Sequence, residues 1–201
     1  MGCWDIFWGL NTAEMNVESR EHEPGLEHLR AAAGRELDNI LHWWSSNMID
    51  HENGGFYGRI DGYGRLHPEA DKGVILNTRI LWTFSAAARR TGERHYHDLA
   101  DRAFDYVMRF FRDEEFGGVF WTVDFKGNPA ESKKQVYAQA FAVYALAEYY
   151  LSSNNPAALE SAQSIFEQIE RHSRDRVKGG YFEAFSRDWS VLGDLRLSDK
   201  D

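Results

Sequence analysis

Val74 to Ala88 reads VILNTRILWTFSAAA, an apolar run broken by a single charge, Arg79. A guanidinium in such a run must pair with a carboxylate or face a polar cavity, because unpaired burial is costly. Gln135 to Ala147 reads QVYAQAFAVYALA and carries no charge at all. Its Tyr137 is either a packed ring with a satisfied hydroxyl or a ligand contact. Asn77 and Gln139 lie in the same two runs, where they line a shared cavity or bond to neighbouring loops. Tyr57, Trp121 and Phe182 each follow a glycine pair closely; they pave the mouth of a cavity or pack between hairpins.

The remaining polar residues offer weaker chemistry. None of the eight histidines falls within the two charge-poor runs. His95-x-His97 has the look of a metal pair, but Thr91-Gly92-Glu93 marks an exposed helix start and no third ligand follows, so no metal is expected. Asp61, Asp124 and Glu183 sit near turns and are the candidates for the paired carboxylates that a glycoside hydrolase needs. The stretch Arg109-Phe110-Phe111-Arg112-Asp113-Glu114-Glu115 reads as a solvated helix end.

Composition narrows the field. The 201 residues are 43% hydrophobic and 27% charged, as for one globular domain. Thirty-two acidic against 23 basic residues give a net charge of -9, with no basic stripe for nucleic acid. The aromatic share of 14% suits carbohydrate pockets, since sugar C–H faces pack on rings, and suits a large core equally. A single cysteine, Cys3, excludes an internal disulfide framework. No run approaches the roughly 18 apolar residues of a membrane span, and the opening decapeptide is too short for a signal peptide. A cytoplasmic protein is the default expectation. Residues 1–23 read as an irregular leader, with Met15 a plausible start inside it.

The elements that must position these residues come from a repeat. Gly54-Gly55-Phe56-Tyr57, Gly117-Gly118-Val119-Phe120-Trp121 and Gly179-Gly180-Tyr181-Phe182 recur at intervals of 63 and 62 residues. Each glycine pair predicts a tight turn followed by a short strand, so each unit opens on a small hairpin. Two helices follow each of the first two hairpins, at about 73–90 and 95–112, then 134–151 and 156–172; an earlier helix spans about Gly25 to Met48. The second helix of a unit is amphipathic, with Tyr96, Leu99, Ala100, Ala103, Phe104, Val107 and Phe111 on one face. The first is apolar nearly all round, which predicts enclosure by protein. Alternating enclosed and half-wet helices describe an inner ring wrapped by an outer ring: an all-α (α/α)6 toroid with short hairpins at one rim. Six pairs at this spacing need roughly 370 residues. Residues 24–201 therefore read as the N-terminal half of such a barrel.

Asn53-Gly54-Gly55-Phe56-Tyr57-Gly58, Lys72 to Phe84, Val136-Tyr137-Ala138-Gln139-Ala140-Phe141 and Ser198-Asp199-Lys200-Asp201 resemble the N-acylglucosamine 2-epimerase superfamily, most closely its cellobiose 2-epimerases. The resemblance runs from about Leu26 to Asp201. It implies an (α/α)6 barrel that inverts C2 of a reducing-end aldose without a cofactor. One histidine removes the C2 proton to leave a cis-enediolate, and a second returns a proton from the other face. It further implies that Arg79 contacts the sugar oxygens near C1 and C2, that Tyr137 lies in the same pocket, and that Asp201 matches an acidic residue near the entrance.

The family's catalytic histidines begin in an Asn-Thr-His-Leu-His motif expected beyond Asp201. No catalytic residue is therefore expected within this chain, and the isolated polypeptide is expected to be inactive. The expected partner is a reducing-end di- or monosaccharide, with neither nucleic acid nor membrane. Two other readings stand beside this one. One is a glycoside hydrolase on the same barrel. The other is an inactive half-barrel that binds sugar or a partner, self-associating through its open apolar edge.

Overall fold

The computed structural model describes residues 24–192, so the leader 1–23 and Asp201 lie outside the described residues. The chain divides into two compact units, one ending at Ile40 and one beginning at Leu41. Helix α1, Pro24–Asn47, starts in the first and ends in the second; its early turns leave Leu26, Leu29 and Leu37 exposed. The account below concerns residues 41–192.

Two copies of one unit fill this part. The first comprises strand β1 (Lys72–Gly73), helix α2 (Val74–Thr91) and helix α3 (Arg94–Tyr106), which continues as a π-turn over Val107–Phe111. Strands β2 (Thr122–Val123) and β3 (Pro129–Glu131) follow. The second comprises β4 (Lys134–Gln135), α4 (Val136–Ser153) and α5 (Pro156–His172), followed by β5 (Ala184–Phe185). Helices α2 and α4 pack side by side, α3 packs on α2, and α5 packs on α4. This is the inner and outer alternation that the two helix types predict.

The strands depart from isolated hairpins, because they also join consecutive units. β1 pairs antiparallel with β2, which pairs with β3, and β4 pairs with β5. These links satisfy one orphan amide at each inner-helix start, neither of which has a side-chain cap. Val74 N–H donates to the Trp121 carbonyl at 3.0 Å, and one repeat later Val136 N–H donates to the Glu183 carbonyl at 2.8 Å. Both inner helices stop on a left-handed residue, Gly92 (φ 73°) and Asn154 (φ 56°). Asn155 then caps α5, its side chain accepting from Ala157 N–H ahead of Pro156.

The core lies between the helix layers. Phe84 of α2 stacks between Phe56 and Tyr96, at 6.0 and 6.2 Å, while Phe104 of α3 stacks on Tyr149 of α4 at 4.4 Å. Full burial of rings such as Phe56 and Phe84 stabilises by about 1.5–3 kcal/mol each. Arg89 and Glu148 tie α2 to α4 at 2.8 Å.

The segment 109–115 is a solvated helix end only in part: Arg109, Arg112, Glu114 and Glu115 are exposed. Phe111 and Asp113 are buried, however, and the Asp113 carboxylate takes Lys134 at 2.8 Å and the Nε and Nη2 of Arg187, each at 3.0 Å. Its charge serves an ion pair between units, which a pattern of local solvation does not reveal. Trp189 adds to the same junction. It adopts φ 65°, where earlier copies of the turn have Gly64 (φ 78°) and Gly127 (φ 96°). That conformation costs a non-glycine residue roughly 1–3 kcal/mol. The offset is a buried indole that donates to the Phe116 carbonyl at 3.0 Å and stacks on His172 at 5.0 Å.

Candidate functional site

The described residues do not enclose the inner helices all round. Each presents one face without cover from the described residues. On α2 this face carries Arg79, which is exposed, and the half-buried Leu76 and Trp82. On α4 it carries Tyr137 at 52% exposure, Phe141, and Tyr144 at 51%. The two helices are neighbours, and the faces meet: Trp82 stacks on Tyr144 with ring centres 5.2 Å apart. Tyr137 and Phe141 follow edge to face at 4.8 Å, and Phe141 meets Tyr144 at 6.4 Å in the same manner. The face is therefore a band of aromatic rings with one cation.

The sequence leaves Arg79 either paired with a carboxylate or facing a polar cavity. No carboxylate among the described residues pairs with it, and its guanidinium stands free on an apolar helix. An exposed fork of N–H donors beside aromatic rings can bind sugar hydroxyls or a developing oxyanion while ring faces take up C–H groups. Trp82 and Tyr144 do not stand out in the sequence. The signal that carries them is spacing, three residues past Arg79 and seven past Tyr137, each on the same helix face.

Asn77 and Gln139 occupy equivalent positions one repeat apart and turn the other way. Gln139 is fully buried and clamps the turn beneath it, accepting from Val119 N–H and donating to the Val119 carbonyl, both at 2.8 Å. Asn77 donates to the Gly73 carbonyl at 2.9 Å, and its side-chain oxygen is buried without a hydrogen-bond partner. Tyr57 and Trp121 are partly buried against the core, Trp121 beneath the Lys133 ammonium at 5.4 Å. Phe182 is 52% exposed. The structure thus brings Arg79 and Tyr137 onto one face and puts Gln139 into the scaffold.

Of the three carboxylates of the hydrolase reading, Glu183 is exposed, and Asp61 and Asp124 are occupied locally. Asp61 accepts from the Tyr63 and Arg65 amides and from His67, and the His67 contact leads in holding its carboxyl below the usual range. Asp124 is held low in the same way by the Asn128 side chain and amide. These are turn-building roles. A 430 Å³ depression beside α3, lined by Asp98, Asp101, Arg102 and Tyr106, does not include Arg79 or Tyr137. No helix among the described residues is long and apolar enough to cross a membrane.

Two features at the base of the inner helices escaped the sequence reading. Lys72 Nζ lies 2.7 Å from the Asp50 carboxylate and donates to the Gly54 carbonyl at 2.9 Å; Lys134 meets Asp113 in the equivalent place. All four side chains are fully buried. Burial raises the Asp113 carboxyl, but Arg187 and Lys134 outweigh it and bring the pKa down to about 2. The available signal was an aspartate four residues ahead of each glycine pair.

A hairpin, an inner helix and an outer helix, repeated with a ring-lined inner face, define a chain of the (α/α)6-barrel type. Residues 55–198 match the N-acylglucosamine 2-epimerase (GlcNAc 2-epimerase) family, and the chain belongs to that family. It is 49% identical over 176 residues to the cellobiose 2-epimerase of Bacteroides fragilis, covering 87% of this chain and 45% of that protein. A cellobiose 2-epimerase of Ruminococcus albus is 42% identical over 81% of this chain and 41% of its own length. The solved cellobiose 2-epimerase from Spirochaeta thermophila superposes with a TM-score of 0.81 at 38% identity, over 84% of this chain and 42% of that one. The chain thus spans less than half the length of these relatives. A D-mannose isomerase structure at 20% identity and TM-score 0.70 shares the fold.

Proposed function

We propose that the α2–α4 face is part of the sugar-binding wall of a 2-epimerase acting on a reducing-end aldose, with a β-linked disaccharide such as cellobiose as its substrate. The observation that carries this reading is the exposed Arg79 guanidinium, unpaired among the described residues, within a band of aromatic rings. Arg79 would hold the sugar oxygens near C1 and C2 and stabilise negative charge as the enediolate forms. Tyr137, one helix over, supplies a ring and a hydroxyl to the same sugar. The proton transfers need bases that this face lacks, since none of the described histidines lies on α2 or α4. The family relationship and the names of the relatives support the reaction class. The same apolar band also supports self-association of the 201-residue chain.

Titration with cellobiose, followed by amide shifts on α2 and α4, tests the binding reading. Shifts confined to that face and weakened at least five-fold by Arg79→Ala are expected, with no epimer formed by the chain alone. Shifts elsewhere, or binding indifferent to Arg79, would refute it. Sedimentation velocity tests the association: a sedimentation coefficient that stays monomeric at all concentrations would remove it.

A further inference from the structure

Helices α3 and α5 are the same outer helix one repeat apart, and burial fixes their register. Leu99, Ala103 and Val107 are buried, as are Ser161, Ile165 and Ile169, each 62 residues further on. The turn glycines keep the same neighbours. A Cβ at Gly54 would meet Tyr106, and one at Gly117 would meet Gln168, again 62 residues further on. Arg102 of α3 therefore corresponds to Ser164 of α5.

Arg102 clamps the first turn. Its Nε donates to the Gly55 carbonyl at 2.9 Å and its Nη2 donates to the Asp50 carbonyl. The second turn presents the same two acceptors, the carbonyls of Gly118 and Asp113. Each accepts one backbone N–H, from Asp113 at 3.0 Å and from Gly117 at 2.9 Å, and each has a second lone pair to offer. Lys134 and Arg187 bind the Asp113 carboxylate and not its carbonyl, and no arginine among the described residues donates to either carbonyl. A 200 Å³ cavity lies at this turn, with Asp113, Glu114, Gly118 and Ser164 in its wall.

The negative charge around the position is kept as well. Arg102 stands four residues after Asp98 and three before Asp105, spacings at which helical side chains are neighbours. Ser164 stands between Glu160 and Glu167 at the same spacings, and both glutamates are exposed. The second unit thus retains the acceptors and the flanking carboxylates, and shortens only the side chain between them. We infer that the cavity beside Ser164 is a binding site for a guanidinium from a ligand, the head group of free arginine or of an arginine on another protein. Two carbonyls that one planar fork spans in the first unit select a guanidinium over a point-like ammonium.

Titration of the 201-residue chain with methylguanidinium, followed by amide shifts, tests this. Saturable shifts are expected at Asp113, Gly118 and Val119. Ser164→Arg is expected to abolish them and to raise the melting temperature by several degrees, because its side chain repeats the Arg102 clamp. Arg102→Ser opens the matching place in the first unit and is expected to add saturable shifts at Gly55 and Phe56. Larger shifts with a capped Gly-Arg-Gly peptide than with free L-arginine would assign the site to a protein side chain, and the reverse to the amino acid. Shifts that never saturate, shifts that persist in Ser164→Arg, or a Ser164→Arg chain that melts below the parent would overturn the assignment.

Discussion

Removing Lys72 should cost far more than removing Lys134, although the two occupy equivalent sites. Each lysine is fully buried against an aspartate, at 2.7 and 2.8 Å. In Lys72→Met the Asp50 carboxylate keeps only the amides of Glu52 and Asn53, because Arg102 donates to the Asp50 and Gly55 carbonyls and not to the carboxylate. An uncompensated buried charge of this kind costs about 3–5 kcal/mol. For a chain of this size that is a fall in melting temperature of roughly 6–20 °C. In Lys134→Met, Asp113 retains two Arg187 hydrogen bonds at 3.0 Å, so a loss on the order of 1–2 kcal/mol is expected. Asp50→Asn in the Lys72→Met background keeps the turn acceptor while removing the stranded charge, and should recover part of the loss. Thermal unfolding followed by circular dichroism at 222 nm measures all three. The reasoning fails if Lys134→Met is the more damaging substitution, or if Asp50→Asn deepens the Lys72→Met defect.

Two further outcomes follow from the same scaffold. Because the Asp113 carboxyl titrates at about 2 in the folded chain against 3.8 as the unperturbed value, its ion pairs contribute fully above about pH 4. That contribution, roughly 2 kcal/mol, is lost as pH falls toward 2. Melting temperatures between pH 5 and 2 should therefore fall less steeply in Asp113→Asn than in the parent chain, and equal slopes would refute the assignment. Gln139→Ala strands the Val119 N–H and carbonyl in a buried place and should destabilise by roughly 2–4 kcal/mol, read by urea unfolding. A loss under 0.5 kcal/mol would show that water replaces the clamp.

Much of the architecture was legible in the residues because it depends on local chemistry. Glycine pairs at regular spacing force the turns, left-handed Gly92 and Asn154 end the inner helices, and an amphipathic stripe marks α3 and α5 as outer helices. The scarcity of charge on α2 and α4 correctly marked them as inner helices. It did not say which residues lie against each face, since apolarity records only that a face avoids being charged. Arg79 and Tyr137 could be singled out because a lone charge and a family motif stand out in one dimension.

What the linear pattern left open are questions of direction and distance. Asn77, Arg79 and Gln139 share the inner helices, yet the helical rotation of about 100° per residue sends Arg79 to the open face and Gln139 into the Val119 turn. Asp113 looked like one charge among several at a helix end, and only folding brings Lys134 and Arg187, 21 and 74 residues away, to its oxygens. Composition and spacing thus settle which elements form and in what order. The partners of each polar group are settled by packing, because a hydrogen bond depends on separations of about 3 Å that sequence distance does not encode.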